Sequence, residues 1–196
     1  MTPKTFIFIG RSGSGKGTQA RLLQEHLNEI DPEIPLFYLE TGAEFRKFLK
    51  GETYSSELSR KIYEKGDLQP SFLAIKIWAE KFVNNLMGNE HVIIDGTPRQ
   101  LGEAHVLESA LDFYKRDDIY VVLPNVSRKW SEERLLARGR TDDSPEDIKR
   151  RLDWYDGKVI PAIEYFKSNS KFKFLDINGE QTIQEVRDEI IKKLDF

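Results

Sequence analysis

The run Gly10-Arg11-Ser12-Gly13-Ser14-Gly15-Lys16-Gly17-Thr18 restricts the fold more than any other part of the sequence. It lies between a short apolar stretch, Phe6 to Ile9, and residues with helical period, Ala20, Leu23, Leu27 and Ile30. Glycines at such a junction let backbone N–H groups turn inward around an anion. The N-terminus of the following helix adds a partial positive charge and Lys16 a full one. A glycine, four residues, then Gly-Lys and a hydroxyl residue is the phosphate-loop pattern. Here Gly17 is interposed, so the hydroxyl arrives one residue later, at Thr18. A glycine-rich turn without a ligand is the alternative, and the strand–loop–helix setting argues against it.

The rest of the chain repeats that setting. Phe6 to Ile9, Leu36 to Leu39, Val92 to Ile94, Ile119 to Leu123 and Phe172 to Leu175 read as five strands, mostly continuous apolar runs of the kind buried on both faces. Amphipathic segments separate them, and Ile183, Val186, Ile190 and Leu194 form the last. Ser144-Pro145-Glu146-Asp147 is a helix start, with a capping serine, a first-turn proline and two carboxylates. Ile148, Leu152, Tyr155, Val159 and Ile163 continue it as one apolar series. Strands alternating with helices imply an α/β fold: a doubly wound, five-stranded parallel sheet flanked by helices. The rhythm breaks over residues 41 to about 87, which hold helical patterns without a strand and look like an insertion over the strand ends.

Composition narrows the partners. In 196 residues, 39% hydrophobic and 11% aromatic content suffices for the core of one domain. The charged share of 32% nearly balances, leaving a net charge of −3. Neither nucleic acid nor a membrane is therefore expected as a partner, and an anionic ligand has to be met by local basic residues. The sequence has no cysteine, which excludes a thiolate zinc site and a cysteine nucleophile. The apolar stretch near the N-terminus is too short for a signal peptide or a membrane span, which favours a cytoplasmic location and a monomer working on small molecules.

Several residues then stand out for chemistry. Asp95 ends the third strand, where a carboxylate beside a phosphate loop orients water on a magnesium ion carried by ATP. Arg46 follows Thr41 on a helical segment. Arg134 and Arg138 share one helix face, and Arg140 lies just beyond, so that the three form a cationic cluster with no acidic partner on that face.

Gly-Lys-Gly-Thr in the loop, Thr41-Gly42 followed by Arg46, Gly66-Asp67-Leu68-Gln69-Pro70, Asp95-Gly96-Thr97-Pro98-Arg99, and Arg134 to Arg140 with Arg151 together resemble the adenylate kinase family. The likeness runs over essentially the whole chain, in the family's order. It implies magnesium-dependent transfer of the γ-phosphoryl group of ATP to AMP, with no zinc. On that resemblance Gly13, Ser14, Gly15, Lys16, Gly17 and Thr18 hold the ATP phosphates, and Arg134 with Arg138 covers ATP. Asn178-Gly179, with Gln181 close by, resembles the turn that meets the ATP adenine. Thr41, Asp67, Leu68, Gln69, Gly96, Thr97 and Pro98 line the AMP site, and Arg46 and Arg99 clamp the monophosphate. Arg140 and Arg151 bridge donor and acceptor phosphates, making Lys16, Arg99, Arg134, Arg138, Arg140 and Arg151 the phosphoryl cage. Residues 1–40 and about 71–196 are the implied core, about 41–70 the acceptor-binding insertion, and about 138–143 a vestigial lid.

The departures from the family bear on substrate. Only Gly139 separates Arg138 from Arg140, so any lid is a tight turn. Ser12 stands where the family has proline and Thr97 where it has an aromatic or leucine. Glu103 occupies the position of the glutamine that reads adenine; an ionised carboxylate accepts from N6 but faces the N1 lone pair with its own. Acceptors other than AMP (GMP, CMP or UMP), another P-loop kinase, and a non-catalytic nucleotide-binding module stay open.

Overall fold

The alternation of side chains along each strand decides which helices they meet. The structure, a computed structural model, describes residues 2–140 and 143–194. Its five strands, β1 (Thr5–Phe8), β2 (Leu36–Glu40), β3 (His91–Asp95), β4 (Ile119–Asn125) and β5 (Phe172–Asn178), form one parallel sheet in the order β2-β3-β1-β4-β5. Phe6 and Phe8 point to one side, with Ile93, Tyr120 and Val122 of their neighbours. They pack on Leu23 and Leu27 of α1 (Lys16–Ile30) and on Val186 and Ile190 of α9 (Ile183–Lys193). Ile7, Val92, Ile94 and Val121 point to the other side. There they meet Trp78 and Phe82 of α4 (Ser71–Asn85), Leu107 and Leu111 of α5 (Leu101–Phe113), and Phe166 of α8 (Ile160–Ser168). Helices on both faces of a parallel sheet make the doubly wound α/β arrangement that the alternation implies.

Burial on both faces holds for the three central strands and fails at the edges. In β2 only Leu39 is buried and in β5 only Phe172 and Ile177, because an edge strand has a neighbour on one side alone. Four of the strands also outrun their apolar runs, ending at Glu40, Asp95, Asn125 and Asn178, whereas β1 stops at Phe8, one residue before its run ends. These polar ends lie at the carboxyl edge of the sheet, where doubly wound folds bind ligands. Two members of the expected apolar series stay out of the core. Ile30, the last residue of α1, is 41% exposed and Ile183, the first of α9, 54%, since each sits at a helix end beyond the sheet.

The break in rhythm resolves into α2 (Thr41–Phe48), α3 (Tyr54–Tyr63) and α4. Trp78 and Phe82 commit α4 to the sheet, so the strandless stretch is part core. After β4 come α6 (Arg128–Arg138) and α7 (Pro145–Trp154). Ser144 caps α7 by accepting from the Asp147 N–H, as its sequence requires. One apolar series crosses three elements: Ile148 and Leu152 on α7, Tyr155 and Val159 in a π-helical turn (Tyr155–Val159), and Ile163 on α8. All five are buried. Pro161 falls in the first turn of α8, where its missing N–H costs least.

Candidate active site

The loop between β1 and α1 has a backbone that only glycine adopts readily. Gly13 and Gly15 have φ of 82° and 86°, in the left-handed region. A Cβ at Gly13 would stand 3.0 Å from the Ser131 carbonyl oxygen, so α6 lies directly against the loop. A Cβ at Gly17 would stand 3.1 Å from Asp95 Oδ2. The glycine interposed after Lys16 thus leaves room for the carboxylate that ends β3. Lys16 is partly buried rather than solvent-facing, and its Nζ donates to the carbonyls of Gly10 (2.9 Å) and Arg11 (2.6 Å). Burial lowers its pKa to about 8; Asp95 opposes the shift, and Arg99 and Arg138 add to it. Burial likewise raises the Asp95 carboxyl, against the pull of Lys16.

One arginine of the cluster, Arg138 at the end of α6, does have an acidic partner, which corrects the reading of a cluster wholly without one. Gly139 (φ 59°) ends α6 in the left-handed conformation, and the chain turns back to Asp143, whose side chain is fully buried. Arg138 grips Asp143 through two bonds, Nε to Oδ2 at 2.9 Å and Nη2 to Oδ1 at 2.8 Å. Arg151 Nη2 reaches Oδ1 at 2.5 Å, and the Arg140 N–H reaches Oδ2 at 3.1 Å. Burial alone would raise the Asp143 pKa; these donors outweigh it and hold the group at about 2. Arg134 lies over the Trp130 ring, 4.7 Å from its centroid. Of the lid expected over 138–143, Thr141 and Asp142 lie outside the described residues.

On the opposite wall, Arg46 Nη2 is paired with Glu40 at 2.7 Å, both half-exposed. Arg99 Nε donates to the Gly96 carbonyl at 2.9 Å, and its guanidinium lies 5.8 Å from the Trp154 ring centroid. Glu103 is 1% exposed and accepts from the Arg99 N–H at 2.8 Å. Burial raises its pKa, although the Arg99 N–H and guanidinium pull the other way. The hydroxyls of Thr41 and Thr97 are buried without a hydrogen-bond partner among the described residues. Gln69 binds Ser59 through both ends of its amide, at 2.7 and 3.0 Å. The insertion docks on α7: Trp154 Nε1 donates to the Gly66 carbonyl at 3.3 Å, and Arg150 to that of Lys65.

Both walls border one cavity of about 650 Å³. It collects Gly13, Gly15, Lys16, Gly17 and Thr18 of the loop; Asp95, Gly96, Thr97 and Arg99; Arg134, Arg138, Arg140 and Arg151; and, from the insertion, Thr41, Arg46, Asp67, Leu68 and Gln69. Glu103 is also in its lining. A lysine and seven arginines outnumber five carboxylates around one cleft, a balance that suits two polyanions held face to face.

A family model described as adenylate kinase matches residues 8–171. The chain is 34% identical over 185 residues to an adenylate kinase of Flavobacterium psychrophilum, an alignment covering 92% of each protein. It is 34% identical over 184 residues to adenylate kinase 1 of a Nostoc species (94% of this chain, 95% of the relative), and 33% identical over 195 residues to an adenylate kinase of Leptospira biflexa (97% and 100%). The chain belongs to the adenylate kinase family.

Within that family frame, not every expected residue reaches the cleft. Ser14 is buried inside the loop, and Pro98 borders a smaller cavity of about 30 Å³ under it. Gly179 and Gln181 stand off the cleft. The Gly179 N–H binds the Asn125 carbonyl at 2.8 Å, and the Gln181 amide is committed to the Asn178 carbonyl and to Glu189. Sequence reasoning missed Asp143 and Trp154. A signal for Asp143 was present, an acidic residue just ahead of the Ser144 cap and between two arginine pairs. Nothing local marked Trp154, which is set against Gly66 by a contact 88 residues apart.

Proposed function

We propose that the protein transfers the γ-phosphoryl group of ATP reversibly to AMP, giving two ADP. The observation that carries this reading is the single cleft in which the phosphate loop faces arginines from four separate segments. Lys16 and the loop N–H groups bind the donor phosphates, and Arg46 and Arg99 bind the acceptor phosphate. Arg134, Arg138, Arg140 and Arg151 surround the group in flight and stabilise charge on its equatorial oxygens. No protein base or covalent intermediate is needed, because holding two nucleotides in line supplies most of the effect. To bind, the acceptor phosphate displaces Glu40 from Arg46.

The donor set near the loop fits magnesium brought in with ATP. Asp95, a buried carboxylate beside Gly17, is an oxygen donor for a hard cation that keeps most of its water. When bound, the ion would neutralise charge on the transferring phosphate chain. In this reading residues 41–70 act as the acceptor-binding insertion, 138–143 as a shortened lid, and Gly179 with Gln181 as the edge of the donor adenine site. The same reading takes the protein as a cytoplasmic monomer with two small-molecule substrates; among the described residues no helix is long and apolar enough to cross a membrane.

A GMP acceptor is the second reading, favoured by Glu103, whose carboxylate suits the two donors on guanine. Coupled detection of ADP from ATP with each of AMP, GMP, CMP and UMP tests both. Turnover with AMP well above the others is expected; turnover with none of them would overturn the proposal.

A further inference from the structure

Glu103 is the most deeply buried carboxyl group in the lining of the cleft, which it shares with Glu40, Asp67, Asp95 and Asp147. It is almost wholly inaccessible and forms no ion pair within 4 Å among the described residues. The charge acting on it is Arg99 of the preceding loop; from α4 it is met by the neutral Ser71 hydroxyl, and from its own helix start by the neutral Gln100 amide. Its two oxygens are not equivalent. Oε2 accepts from the Arg99 N–H at 2.8 Å and so must keep a lone pair there, whereas the contact of Oε1 with Gln100 Nε2 is long, 3.4 Å, and the Ser71 hydroxyl beside the carboxyl group can either donate or accept. Oε1 is therefore the oxygen able to carry a proton. The buried, unpartnered hydroxyls of Thr41 and Thr97 border the same cleft, which marks it as a surface waiting for a polar ligand.

Resting on the assignment of AMP as acceptor, we propose that Glu103 reads adenine as a neutral carboxylic acid, so that AMP binding takes up one proton from solvent. Oε1–H then donates to N1 of the base, and Oε2 accepts from the N6 amine beside its bond to Arg99. Bound this way, the acid supplies one donor and one acceptor, the pair that adenine requires. An ionised carboxylate would bury a charge against the N1 lone pair, the arrangement a desolvated site tolerates least. Burial of the free carboxyl pushes its pKa upward, which makes the neutral form easier to reach, and the uptake is read above that pKa, where the free carboxyl is still ionised.

The test is calorimetric titration of the intact protein with AMP, in buffers of differing ionisation enthalpy, over about pH 6 to 9. Titration with 1-deaza-AMP, in which N1 is replaced by C–H, is run alongside. Both ligands carry the same phosphate, so proton exchange at that group or at Lys16 cancels in the difference. AMP should take up close to one proton more than 1-deaza-AMP, and its affinity should fall about tenfold per pH unit once the free carboxyl is ionised. Glu103→Gln, which keeps the acceptor for the Arg99 N–H, should abolish the difference and flatten the pH profile of kcat/KM for AMP. Equal proton counts for the two ligands in the unmodified protein, or an unchanged profile in Glu103→Gln, would overturn the proposal. The proton count is a binding measurement, so its failure leaves ADP formation from ATP and AMP untouched. Failure of that assay would instead remove the assignment of function.

Discussion

Replacing Asp143 by asparagine removes the charge that holds Arg138 and Arg151 while keeping the side-chain volume. Both arginines belong to the proposed phosphoryl cage, and a cage displaced by about 1 Å costs roughly a hundredfold in rate. We expect Asp143→Asn to lower kcat by ten- to a hundredfold with a smaller change in the KM for AMP, read in the coupled assay. The same group links stability to pH. Its pKa is about 2 in the folded protein, against an unfolded value near ~3.9. The ionised carboxylate therefore contributes stability above about pH 4, on the order of 2 kcal/mol, which is lost as the pH falls through about 2. Acid unfolding followed by circular dichroism should show that window in the parent protein and a shallower loss in Asp143→Asn. Lys16→Ala is the complementary case: its ammonium bonds only to carbonyls of its own loop, so a kcat loss of roughly a thousandfold or more is expected, with Tm changed by little. A Lys16→Ala protein that still turns over normally would remove the loop from the mechanism.

At the scale of elements, what the sequence made legible was what is periodic and continuous. The central strands read as unbroken apolar runs because both their faces are covered, and the Ser144 start of α7 was legible because capping is a local chemistry. The edge strands are less apolar in their surroundings than in their sequence, so Leu36, Tyr38 and Leu175 end only partly buried. The π-helical turn was invisible: its apolar spacings of three and four residues are those of an ordinary helix, and only the backbone shows the wider turn. Contacts between elements were the other blind spot. Trp154 joins α7 to Gly66 of the insertion and carries Arg99 near its ring, a pairing set by tertiary packing. Trp154→Phe keeps a ring beside Arg99 and loses the bond to Gly66. It should raise the KM for AMP several-fold, about the worth of one hydrogen bond, and leave kcat nearly unchanged. A fall in kcat with no change in KM would mean that Trp154 acts on the chemistry instead of on acceptor closure.

For the molecule as a whole, the question is how, on the proposed reading, water is kept from the transferring group when the chain has only Gly139 between Arg138 and Arg140. Gly139 alone separates the last arginine of α6 from Arg140, so nothing of domain size can fold over the phosphates from that side. Exclusion then falls to the insertion, which the bonds from Arg150 to Lys65 and from Trp154 to Gly66 hold against α7. Closure is what normally separates phosphoryl transfer from hydrolysis. Arg150 lies outside the cleft, so Arg150→Ala tests docking without touching the cage. It should raise phosphate release relative to ADP formation, by several-fold if one charge-assisted bond is lost, measured with ATP in the presence of AMP. Lengthening the chain between Gly139 and Arg140 should act in the opposite sense, because a longer turn can cover the phosphates that the present one leaves to the arginines. If Arg150→Ala leaves the partition between transfer and hydrolysis where it was, then the arginine cage itself excludes water, and docking of the insertion serves only to hold the acceptor.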